Sequence, residues 1–91
     1  MTSDAAAPPV ELADELALLE QTLDEARTAL DPNTVRVLER NLAVIEQAIE
    51  DSRLALEQDP GNEFLAAHLE RVYERKVEYL REAARVAEWS D

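Results

Sequence analysis

One histidine, a ladder of glutamates and no cysteine are the residues from which this 91-residue chain would have to build chemistry. A carboxylate-bridged di-iron centre on helices needs a Glu-x-x-His step, because ligands three residues apart project together into a bundle interior. Three residues before His68 stands Leu65, so the step is missing, and Glu63 and Glu70 flank the histidine at spacings that point elsewhere. His68 aligns instead with Arg71, Arg75, Glu78 and Glu82, which reads as a wet helix face. Without cysteine there is no thiolate nucleophile, no disulfide and no cysteine zinc site. No metal and no other cofactor is expected.

Paired carboxylates are the next candidates. Glu46 and Glu50 stand one helical turn apart, as do Glu70, Glu74, Glu78 and Glu82 in succession. Such pairs do acid–base work only where burial and a cleft shift their pKa values. With Arg71, Arg75, Arg81 and Arg85 interleaved, they read more simply as partners in exposed ion pairs. The hydroxyls of Ser52, Thr22, Thr28 and Thr34 have no nearby histidine to act as general base. A single glycine leaves no flexible loop for cradling phosphate. The expectation is a protein that is not an enzyme and has no small-molecule substrate.

Charge narrows the partners. The formal net charge is −12, and it is uneven: residues 10–30 set six acids against Arg27, while residues 61–89 set six acids against five bases. A net negative chain repels phosphate backbones, so no nucleic acid is expected, and an anionic membrane surface is disfavoured equally. The longest apolar run, Leu16-Ala17-Leu18-Leu19, is far shorter than the roughly 20 residues that span a bilayer. No direct membrane insertion of this chain, and no secretory signal as written, is expected.

The elements that position these residues are legible as three apolar stripes. Leu12, Leu16, Leu19, Leu23, Ala26 and Leu30 step by fours and threes, as do Val35, Leu38, Leu42, Ile45, Ile49, Ser52 and Leu56. Ala66, Leu69, Tyr73, Val77, Leu80, Ala84 and Ala87 continue the helical spacing. Residues three and four apart share a helix face, so each stripe must be buried against another helix. Asp31-Pro32 ends one helix and caps the next, since proline disfavours helix in the residue before it and suits the first helical position. Asp59-Pro60-Gly61-Asn62 repeats the break, with Asp59 or Asn62 as cap. The reading is a disordered lead over 1–9 and helices over about 10–30, 32–58 and 61–88. Short connections make this an all-α, up-down-up antiparallel three-helix bundle with coiled-coil-like seams.

Helices of about 26 residues are close to 40 Å long, which is much for so narrow a bundle. Leu18, Val37, Val44, Leu54, Leu65, Val72 and Val86 lie beside or outside the seams. They either widen the core-facing stripe or wait for a partner. A shorter first helix under-covers one end of the other two, which marks Leu54, Leu56, Leu65, Leu69 and Val72 as a candidate interaction surface. The partner is then a protein or the chain itself, most simply as a homodimer. Ser52 and Lys76 are polar at seam positions. Such residues select register and oligomer state, or, for lysine, lay methylenes along the core while the amine reaches water.

The run Val37-Leu-Glu-Arg-Asn-Leu-Ala-Val-Ile, the Asp59-Pro60-Gly61-Asn62 junction, and Arg75-Lys76 followed by Leu80-Arg81 together resemble a helical tail. It is the C-terminal, extracytoplasmic part of membrane-anchored zinc-finger anti-sigma factors, and the likeness covers about residues 30–85. The resemblance implies a bacterial regulatory module that senses or docks something. The family's zinc finger and transmembrane helix are not in this sequence, so no zinc ligand or sigma-binding residue carries over. Its place would be periplasmic if the chain is an excised tail, and cytoplasmic if it is complete as written. Ala55-Leu-Glu-Gln-Asp-Pro-Gly-Asn also resembles a tetratricopeptide-repeat junction. The 28-residue separation of the two Asp-Pro steps falls short of that repeat's period of about 34, so at most one repeat-like adaptor hairpin is implied.

Overall fold

A computed structural model describes residues 8–89. They form an all-α three-helix bundle: α1 (Val10–Ala26), α2 (Pro32–Gln58) and α3 (Glu63–Trp89). The expected lead over 1–9 lies largely outside the described residues. The bundle is elongated, 48 × 22 × 20 Å, because α2 and α3 each run 27 residues.

The two breaks follow from local chemistry. At the first, α1 stops at Ala26 rather than Leu30. Residues 27–29 then turn, the N–H groups of Ala29 and Leu30 donating to the Ala26 carbonyl at 2.9 and 3.0 Å. Leaving the helix early swings Leu30 into the core, where it is 4% exposed. Asp31 sits at ψ 134°, as the following proline requires, and its carboxylate accepts from the Asn33 N–H at 2.8 Å. At the second break the cap is Asn62: its Oδ1 accepts from the Leu65 N–H at 3.0 Å, and its amide donates to Asp59 at 2.9 Å. Helix α3 therefore begins at Glu63, not at Gly61.

α3 is the central element. Both α1 and α2 pack on it, while among the described residues the Cα traces of α1 and α2 nowhere come within 8 Å of each other. Because it faces two neighbours, α3 buries a wider arc than one heptad seam: Leu69, Val72, Val77, Leu80 and Ala83 are all buried, while Ala66 is exposed and Ala84 only half-buried.

The core has two parts. Leu16, Leu23 and Leu30 meet Val77, Leu80 and Ala83, with Val35, Leu38 and Leu42 of α2 closing the third side. Towards the Asp59–Asn62 connection, Ile49 and Leu56 of α2 meet Leu69 and Val72 of α3, flanked by Ile45, Ala48 and Leu65.

Candidate functional site

Lys76 is the junction of the three helices. Its seam position carries it inward until the side chain is 12% exposed, and its Nζ reaches Glu20 of α1 at 3.0 Å and Glu46 of α2 at 3.2 Å. Burial works against its charge, but the hydrogen bonds and charges of the two carboxylates outweigh it and hold its pKa above the ordinary lysine value. A lysine base or nucleophile must shed its proton near neutral pH, so this shift runs opposite to what such chemistry needs. The amine does not snorkel freely into water, as a lone seam lysine would; it closes a three-helix ion cluster. Tyr73, one turn away, has its phenol pushed up by burial.

Ser52, the other polar seam residue, is buried and donates to the Ala48 carbonyl of its own helix at 2.8 Å. Its hydroxyl is thereby satisfied within its own helix, without need of an interhelical partner.

The glutamate ladder is not paired as its spacing suggests. Among the described residues, Glu70, Glu74, Glu78 and Glu82 hold no ion pair, and neither do Arg71, Arg75 or Arg85. Arg81 reaches across to α1 instead, gripping Glu15 with Nε at 2.6 Å and a second nitrogen at 2.7 Å. That hydrogen bond, aided by the guanidinium charge, holds the Glu15 carboxyl below its usual range. A bidentate guanidinium–carboxylate fork wins over looser pairs along one helix because its geometry is fixed. On α2 the local pairs do form: Arg53 bridges Glu50, at 2.8 Å, and Glu57.

His68 is half-buried and stacks against Phe64, with ring centroids 6.3 Å apart and planes 13° from parallel. It lines an open groove of about 690 Å³ with Arg71, Arg75, Glu74 and Glu78. Among the described residues no group of three histidine, aspartate or glutamate side chains converges to hold a metal.

The candidate interaction surface is redistributed. Leu56, Leu69 and Val72 are 2%, 1% and 5% exposed, packed in the α2–α3 core, and Leu65 is half-buried beside them. The tight Asp59–Asn62 connection brings the two stripes face to face, so the hairpin end covers itself without α1. Of the five residues, Leu54 alone is exposed. The apolar side chains that do face solvent lie elsewhere: Leu18 and Val10 on α1, Val37 and Val44 on α2, Phe64 and Val86 on α3. Four of these (Leu18, Val37, Val44 and Val86) are among the off-seam residues that the heptad pattern singles out. They do not widen the core-facing arc. Comparison with protein-family models, curated proteins and solved structures returns no match.

Proposed function

We propose that this chain is a non-catalytic helical protein-interaction and regulatory module. The observation that carries the reading is the set of large apolar side chains held on outer helix faces, Leu18, Val37, Val44 and Phe64 among them, in a bundle whose own core is already closed. Scattered single apolar residues are ordinary on protein surfaces. Here they recur at helical spacing on α1 and α2, as a helix-on-helix contact requires. The resemblance of residues 30–85 to the extracytoplasmic tail of anti-sigma factors supports the narrower proposal of a docking or sensing tail. Coding sequence upstream that specifies a transmembrane helix and a Cys/His finger would support that assignment, and an unrelated upstream sequence would remove it.

The interaction reading is tested without altering the chain. Sedimentation over a concentration series should show species above the 10.2 kDa monomer. Their population should rise with salt, because screening relieves the mutual repulsion of chains carrying −12. A monomeric mass at every concentration and ionic strength would contradict self-association.

A further inference from the structure

The outer faces of α1 and α2 are complementary in both spacing and charge. On α1, Val10 and Leu18 are 79% and 64% exposed, and Asp14 lies between them without an ion pair among the described residues. On α2, Val37 and Val44 are 52% and 67% exposed, and Arg40 lies between them, likewise unpaired. Arg40 shares this unpaired state with Arg71, Arg75 and Arg85, and what sets it apart is its place between two exposed valines. Laid antiparallel, the two helices match: Val10 falls opposite Val44, Asp14 opposite Arg40, and Ala17 with Leu18 opposite Val37.

The match cannot be made within one chain. At about 100° per residue, Val37 and Val44 lie roughly half a turn round α2 from Glu39 and Glu46, the residues that face α1 through Arg27 and Lys76. Likewise Asp14 and Leu18 lie on the side of α1 away from Glu20 and Arg27. The two faces point out of opposite sides of the bundle.

We infer that the outer face of α1 in one copy docks antiparallel on the outer face of α2 in a second copy, with Asp14 against Arg40. The inference rests on the reading of the chain as a self-associating module and names its surface. The two faces differ, so the contact is heterologous, and each added copy presents a fresh pair of faces. The charge pair sets orientation and partner choice, while Val10, Leu18, Val37 and Val44 supply the apolar contact.

The experiment is a charge swap in the full chain, with circular dichroism confirming that each variant keeps the wild-type helix content. Arg40→Glu alone and Asp14→Arg alone each place like charges in the contact and should weaken self-association about tenfold or more. In an equimolar mixture of the two variants, each Asp14 meets an Arg40 and each new arginine meets a new glutamate, so association should return. Wild-type levels of association in both single variants would overturn this surface while leaving the interaction reading intact. Loss in both variants without recovery in the mixture would overturn the Asp14–Arg40 pairing. A wild-type chain that stays monomeric throughout would overturn both the surface and the self-association on which it rests.

Discussion

The two ends of α3 are held by different means. Near the Asp59–Asn62 connection, Leu69 and Val72 meet Ile49 and Leu56 in a two-helix core, and the strong ion pairs nearby, Arg53 with Glu50 and Glu57, stay within α2. At the other end, Val77, Leu80 and Ala83 are enclosed by α1 and α2 together. There, beside one local pair of Arg27 with Asp24, the pairs cross between helices: Glu15 with Arg81, Arg27 with Glu39, and Lys76 with Glu20 and Glu46. Local pairs support a helix whatever it packs on. Cross-helix pairs are satisfied in one arrangement of the three helices and broken in others. The hairpin end is therefore set by chain connection and the three-helix end by side-chain selection.

The largest effect should come from hollowing either core. Leu69 and Leu80 are both 1% exposed, and truncating either to alanine should cost ~2–5 kcal/mol by denaturant unfolding. The two should part in native-state hydrogen exchange. Leu80→Ala should speed exchange in α1, whose docking it undermines, whereas Leu69→Ala should act mainly on the α2–α3 hairpin. Equal acceleration of α1 in both would erase the distinction between the two ends.

Next comes the junction. Lys76→Ala leaves Glu20 and Glu46 facing each other without their cation and should cost about 1–3 kcal/mol, less than a fully buried pair because both carboxylates are about half exposed. Lys76→Met, which keeps the methylenes, should cost less. The lysine's raised pKa also sets a pH dependence. Its contribution is complete below the unfolded value, about 10.4, and disappears as pH climbs through the higher folded value. Tyr73, raised by burial, loses stability in the same alkaline direction. Wild-type stability should fall above about pH 10, and Lys76→Met should flatten part of that fall. A Lys76→Met curve parallel to wild type would show that the lysine is not the source.

The Glu15–Arg81 fork should act at the opposite end of the pH scale. Its lowered carboxyl pKa contributes stability above the unfolded glutamate value and loses it as pH falls through the folded one. Glu15→Gln should thus weaken the three-helix end near neutral pH and lose its difference from wild type in acid. An unchanged difference down to low pH would mean packing, not charge, explains the variant. The smallest effect belongs to the hairpin connection. Gly61 does not adopt a positive φ, and a Cβ there would meet nothing within 4 Å. Gly61→Ala should raise stability by about 0.4–1 kcal/mol through the unfolded state alone.

How much of this was legible differs between the two ends as well. The three stripes, the Asp31 cap and the ends of α2 follow from spacing and from proline, because helical periodicity and backbone sterics act within a few residues. The burial of Leu56, Leu69 and Val72 does not follow from helix length, which points to an under-covered end, because a four-residue connection forces two long helices to cover each other first. Lys76 stood out as a charge on an apolar seam, but its partners did not. Glu20 and Glu46 are two acids among 21, one on each of two other helices, and nothing in linear spacing distinguishes them.

What the sequence determined by itself is therefore local: that there are three helices, roughly where they begin and end, and which face of each is apolar. Hydrophobic periodicity carries that information because it is written every three or four residues. The tertiary structure alone decided that α3 lies at the centre, that Arg81 takes Glu15 over its own neighbours, and that Val37, Val44, Val10 and Leu18 stay outside. Those outcomes depend on which apolar stripes are consumed first and on distances between residues far apart in the chain. Burial is non-directional, so three similar stripes carry no label for their partners until the helices meet.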